Sequence, residues 1–169
     1  MAEHRAEPQP RWLTSVQQRA WRELMTLMTH LPAVLEAQLK RDAGLSYLEY
    51  YVMAGLSGMP DHAMRLSDLA RFVNTELSRL SHLVSRLEQR GFMKRVIDCT
   101  DGRYTKAVLT GAGFAHLAEA APAHVAEVEK FVFGVLDEAD VETLRRCVEK
   151  INKRLAMGEN AVTPAGRDR

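Results

Sequence analysis

The apolar spacing of this chain changes once, at Gly91, and that change fixes what its middle can fold into. In residues 76–90, Leu77, Leu80, Val84 and Leu87 recur at helical intervals, and Gly91 is the natural stop. Residues 92–97 then read as a short strand and Asp98-Cys99-Thr100-Asp101-Gly102 as a turn, with Asp-Gly as the hairpin signal. Residues 104–109 return, with Thr105, Ala107 and Leu109 on one face and Tyr104, Lys106 and Val108 on the other. Upstream, Ser67 is the expected N-cap of a short helix over 68–73, and Asn74-Thr75 makes a tight corner. Helix, corner, helix and hairpin in this order make a helix-turn-helix followed by a wing.

The flanks are helical. Leu13, Val16, Ala20, Leu24, Leu27, Leu31, Val34 and Leu35 set a helix over 12–39, kinked or split at Pro32 and ended by Gly44. Ser46 and Glu49 form a capping box for a helix over 47–56, and residues 57–61 are a loop. Thr110 caps a long helix, bent at Pro122, to about residue 135. Asp137 caps the last one, striped by Val141, Leu144, Val148, Ile151 and Leu155. The fold class expected is mainly α with a small β-hairpin wing. Helices over 11–43 and 111–156 flank a winged helix-turn-helix over 45–110, and 157–169 form a loose tail.

Residues 76–90 can be read face by face. Leu77, Leu80, Val84 and Leu87 share one sector and face inward, with Leu83 at its border. The opposite sector carries Thr75, Ser78, Arg79, His82 and Arg86 and has no acid between Glu76 and Glu88. Small hydroxyl residues let a backbone approach a groove closely, and Arg and His supply donors for guanine edges or phosphates. Arg95 and Lys106 add cations on the hairpin strands, and Arg103 projects beyond the Asp101-Gly102 turn. A lone Arg on a narrow protrusion suits the negative minor groove, and Asp101 can hold it by a charge-assisted bond. Residues 65–106 carry a net charge of +4 within a chain whose total is +1. The partner these features indicate is double-stranded DNA.

Other function classes find less support. At 46% hydrophobic and 27% charged residues, the 169-residue chain is globular rather than disordered. Its longest stretches without an acid or a base run 12 residues, and a spanning helix needs about 20. Residues 1–10 are polar and lack the apolar core of a secretory signal, so a cytoplasmic, nucleoid-associated protein is expected. Gly111-Ala112-Gly113 is too short for a phosphate loop, and neither Cys-x-x-Cys nor His-Glu-x-x-His occurs. His116, Glu119 and His124 lie near one another but lack a fourth clustered ligand, so no metal and no cofactor are expected. No nucleophile, base and orienter set points to an enzyme.

Leu69-Ala70, Leu83-Val84, Leu87-Glu88, Arg90-Gly91, Asp101-Gly102-Arg103 and Leu109-Thr110-x-x-Gly113, in this order, resemble the MarR family of bacterial winged-helix transcriptional regulators. The resemblance covers roughly residues 13–155. It implies a homodimer with interleaved terminal helices, a recognition helix in each major groove and a wing reaching the adjacent minor groove. Ser78, Arg79, His82 and Arg86 match the family's base- and phosphate-reading face, and Asp101 and Arg103 its wing pair. One departure is Glu76, where many relatives place a serine that caps the recognition helix and can touch a phosphate; a carboxylate there would repel it. Many relatives release DNA when a small aromatic or anionic effector enters a pocket between the dimer helices and the wing domain. Trp21, His30, Tyr47 and Tyr51 are the residues expected to line it here. Some members sense oxidants through a cysteine near the N-terminal helix, but Cys99 lies in the hairpin and Cys147 beside the last helix's seam.

The apolar stripes argue for a dimer without the resemblance. Three long amphipathic helices cannot all cover themselves on a wing domain of about 60 residues, so they should cover each other and a second copy. A monomeric bundle is the competing arrangement. The expected function is a sequence-specific regulator on a pseudo-palindromic operator; the alternative is a winged-helix interaction module that reads no DNA sequence.

Overall fold

The structure, a computed structural model, describes residues 12–98 and 101–162, with side chains as far as Ala156. Helix α1 spans Ser15–Ala43, α2 Tyr47–Ser57, strand β1 Ala63–Arg65, α3 Leu66–Phe72 and α4 Leu77–Gln89. Strands β2 (Met93–Ile97) and β3 (Thr105–Leu109) follow, then α5 (Gly111–Phe131) and α6 (Glu138–Val162). Single 3-10 turns occupy Pro60–His62 and Phe133–Val135. The described residues form two compact units, one ending at Ala120 and the other beginning at Ala121.

The first unit is built on local signals that the structure realises. Thr14 caps α1 in a reciprocal box with Gln17, and Ser46 does the same for α2 with Glu49. Gly44 (φ 62°) and Gly91 (φ 74°) take the left-handed conformation that ends α1 and follows α4, where a Cβ would be strained. Asn74 turns the corner at φ 47°, a conformation asparagine tolerates better than most residues. Thr110 Oγ1 accepts from Gly113 N at 3.0 Å and so caps α5. The core joins Leu45, Val52, Met53 and Leu56 to Leu69, Leu80, Leu83, Val84 and Leu87, and closes on Met93, Ala107, Leu109 and Leu117.

Several boundaries differ from the sequence reading. Helix α1 runs through Pro32 without a break and reaches Ala43, its far end anchored by buried Leu35, Gln38 and Leu39. Strand β1, three residues without an alternating pattern, has no signal in the sequence. It pairs antiparallel with β3, Ala63 opposite Val108 and Arg65 opposite Lys106, giving a three-stranded sheet in the order β1-β3-β2. Because β1 runs straight into α3, that helix starts at Leu66 with Arg65 as N-cap, and Ser67 lies inside it rather than capping it. Leu77 is 51% exposed, not inward, whereas Leu83 is fully buried.

The C-terminal end of α1 is tied down twice. Arg90 Nη1 donates to the Gly44 carbonyl at 3.0 Å, and His116 Nε2 donates to the Ala43 carbonyl at 2.9 Å. The His116 ring stacks on Phe92, over which the Arg90 guanidinium lies.

In the second unit, Asp137 Oδ1 accepts from Asp140 N and starts α6, which continues to Val162. Residues 157–162, expected in a loose tail, are therefore helical; 163–169 lie outside the described residues. Arg145 links Glu142 and Glu149 along the α6 surface, and Lys153 meets Glu149 at 2.6 Å. Val148, Ile151 and Leu155 are exposed within the single chain, as are Val125, Phe131 and Val135.

Candidate nucleic-acid interface

Helix α4 presents a cationic face because its apolar residues are drawn into the core. Ser78, Arg79, His82 and Arg86 are exposed on it, and Thr75 is half-buried at its approach. Arg79 and His82 make no ion pair among the described residues, so their donors face solvent. Arg86 is partly committed: its Nε lies 3.3 Å from Oε1 of buried Glu49, the residue that completes the α2 capping box. Glu76 is the N-cap of α4 by backbone geometry but makes no side-chain cap, and it is exposed. Four of these residues line an open cleft of about 580 Å³ between α4 and the α1–α2 region, together with Glu36, Ser46, Leu48 and Leu83. Sequence reasoning did not find Glu36. Its carboxyl sits below the usual carboxylate range because it accepts from Lys40 and from the Tyr47 backbone N–H.

The wing carries the second cationic element. Arg103 Nε and Nη2 reach the two carboxylate oxygens of Asp101 at 3.0 and 2.8 Å, and its backbone N–H bonds Asp101 Oδ1 at 3.2 Å. The Arg103 side chain remains 83% exposed, held by one edge with the rest open to a partner. This fork holds the Asp101 carboxyl below its ordinary range. At the wing's root, Asp98 is 1% exposed and lies 2.7 Å from Arg65 Nε and 3.1 Å from Lys106 Nζ. Arg65 also lies over the Tyr104 ring at 4.4 Å. Lys106 therefore neutralises a buried carboxylate, a role the sequence reading did not give it. A groove of about 350 Å³ separates wing from helix, walled by Arg103, Tyr104 and Thr105 on one side and Leu66, Leu77 and Ser81 on the other.

Arg95, expected on DNA, folds against α4, its guanidinium shared among Glu88, Ser81 and Ser85. The residues expected to line an effector pocket are not brought together. Trp21 and His30 stand nine residues apart on α1, about half a turn out of register, so they project from opposite sides of that helix. Tyr47 and Tyr51 do meet, stacked with centroids 6.2 Å apart, and Tyr51 stacks in turn on Phe72 at 5.3 Å. Phe72 can lie there because Gly55 beneath it has no Cβ. His116 is bonded to the Ala43 carbonyl, and among the described residues no three potential ligands cluster for a metal. Cys147 is exposed on α6, while Cys99 lies outside the described residues. Among the described residues no helix is long and apolar enough to cross a membrane.

The family model described as MarR family matches residues 45–105. The chain is similar to Sco3205, a MarR family transcriptional regulator from Streptomyces coelicolor solved in complex with DNA, at 33% identity and a TM-score of 0.79, over 95% of this chain and 96% of that one. AbsC, a MarR family transcriptional regulator from the same organism, matches at 33% identity and a TM-score of 0.81, over 87% and 99%. The transcriptional regulator BldR from Sulfolobus solfataricus, at 20% identity and a TM-score of 0.74 over 84% and 99%, shares the fold. No curated protein matches the sequence.

Proposed function

Since this chain belongs to the MarR family, we propose that it is a dimeric, sequence-specific DNA-binding repressor released by a small aromatic or anionic effector. Family membership makes it a transcriptional regulator and not an enzyme. The observation that carries the DNA reading is the groove between α4 and the wing, walled on the wing side by exposed Arg103, with exposed Arg79 and His82 on the same helix that forms its other side. A recognition helix in the major groove and a wing tip in the adjacent minor groove straddle one sugar–phosphate strand, and this groove is where that strand would lie. Arg79 and His82 then read base edges, Ser78 and Thr75 allow close approach, and Arg103 enters the minor groove. The solved complex of Sco3205 with DNA supports the same reading for a relative of this similarity.

The dimer reading rests on apolar surface. Trp21, Leu27 and Met28 on α1, and Val148, Ile151 and Leu155 on α6, are exposed in the single chain, more than a free monomer would leave open. Two-fold symmetry then sets a pseudo-palindromic operator with half-sites about one duplex turn apart. The cleft lined by Arg79, His82 and Arg86, together with Glu36, is where an anionic effector would compete with DNA for the same cations. An effector releases DNA only by binding the DNA-incompetent arrangement better.

The test is sedimentation of the free protein together with anisotropy on duplexes from the region upstream of its own gene. The expected result is a dimer that selects one duplex, with Arg103→Ala weakening binding and lowering the salt slope by about 0.9 per lost phosphate contact. Changes at Ser78, Arg79 and His82 should alter sequence preference more than salt slope. A monomer indifferent to sequence would overturn the reading in favour of an interaction module.

A further inference from the structure

Arg95 bonds three residues of the recognition helix, Ser81, Ser85 and Glu88. Its backbone N–H donates to Glu88 Oε1 at 2.7 Å, and its Nη1 donates to Glu88 Oε2. Its Nη2 donates to the Ser81 carbonyl at 2.6 Å and lies within bonding distance of Ser81 Oγ and Ser85 Oγ, at 3.2 and 3.1 Å. Ser85 Oγ itself donates to the same Ser81 carbonyl at 3.1 Å. Both members of the ion pair are only 27% exposed. The guanidinium thus joins successive turns of α4, through Ser81, Ser85 and Glu88, to the middle of β2.

We propose that Arg95 is a positioning residue which sets the wing's angle to the recognition helix, and that it does not touch DNA. The proposal rests on the DNA-binding reading above. A hairpin with a three-residue third strand has little intrinsic rigidity, so its attitude must be fixed from outside. Arg95 is opposite Ala107 in the β2–β3 ladder, two residues from Thr105, where the strand leaves the tip. Whatever fixes Arg95 therefore fixes where Arg103 points. The chemistry requires arginine. Its planar fork reaches a carboxylate and a carbonyl at once, while a lysine ammonium is a point charge that cannot span them.

The experiment compares Arg95→Lys, Arg95→Ala and Glu88→Gln in the full-length protein, by operator affinity and by amide hydrogen exchange across residues 94–106. If Arg95 positions the wing, Arg95→Lys binds about tenfold more weakly than wild type despite its retained charge, close to Arg95→Ala. Glu88→Gln also weakens binding, although it removes a negative charge near DNA. Hairpin amides exchange faster in all three, and Arg103→Ala costs less affinity in the Arg95→Lys background than in wild type. Arg95→Lys within twofold of wild type, or tighter binding by Glu88→Gln, would mean a direct phosphate contact and overturn the proposal. If wild type selects no duplex, the DNA reading fails on its own. Hairpin exchange still decides the clamp: unchanged protection in Arg95→Lys refutes it.

Discussion

Adding one methyl group at Gly113 should loosen the joint between the wing and α5. An ideal Cβ there would stand 2.1 Å from the Phe92 carbonyl oxygen and 2.8 Å from Leu109 Cδ1. Neither neighbour is a free side-chain end: one is backbone and the other belongs to a buried leucine. Relief requires Phe92 and the start of α5 to part by about 1 Å. The Phe92 carbonyl also accepts from Thr110 N at 3.0 Å, and that opening stretches the bond beyond useful range, a loss of about 1 kcal/mol. Overpacking against Leu109 adds about 1–3 kcal/mol, and the better helix propensity of alanine returns up to about 1 kcal/mol. The net destabilisation is about 2 kcal/mol, or about 4–8 °C in Tm for a chain of this size. Gly111→Ala is the matched control, since nothing lies within 4 Å of its added Cβ; its effect should stay within about 0.5 kcal/mol. Thermal unfolding followed by circular dichroism, at one fixed subunit concentration, measures both. A Gly113→Ala variant as stable as Gly111→Ala would refute the steric argument.

Three further outcomes are expected. Leu83→Ala should lower stability by about 2–5 kcal/mol in urea denaturation, whereas Leu77→Ala, cut from a half-exposed site, should cost less than about 1 kcal/mol. Equal losses would contradict the burial pattern. Burial pushes the His124 imidazole below its ordinary value of about 6.5. The unfolded chain therefore takes up the proton first, so stability is full above about pH 6.5 and falls as pH drops through the lowered value. Tm should decline from pH 7.5 to 5.5, and His124→Gln should flatten that decline; an unaltered slope would assign it elsewhere. Asp101→Asn should weaken operator binding although it removes a negative charge from the wing, because it breaks the fork that orients Arg103. Tighter binding in fluorescence anisotropy would show repulsion to be the larger effect.

Features encoded within a few residues of one another were legible in the sequence. The Ser46–Glu49 box, the stop at Gly44, the corner at Asn74 and the cap at Thr110 each need only local chemistry. Strand β1 was not legible, because three residues carry no period and its partner lies more than forty residues on. The start of α3 was misplaced for the same reason, since the end of a strand rather than a serine sets it. Leu77 shares the apolar sector of α4, but it is the helix's first residue and edges the groove to the wing, with no core above it. For the site, the α4 face and the Asp101–Arg103 pair were readable from spacing. The fates of Arg95 and Lys106 were not, because a cation's sign says nothing about which carboxylate it will meet. Glu88 and Arg95, seven residues apart across the Gly91 turn, were the available hint.

Two adjacent carbonyls at the end of α1, those of Ala43 and Gly44, are gripped by different masters, one by the helix that leads onward through α5 and one by the end of the helix that faces DNA in our reading. The long N-terminal rod is therefore not hinged freely at its foot. Any tilt of it must drag Arg90 or His116 along, or snap one of two single hydrogen bonds, and the length of α1 above its buried Leu35–Leu39 stretch multiplies a small rotation there into a large sweep at its far tip.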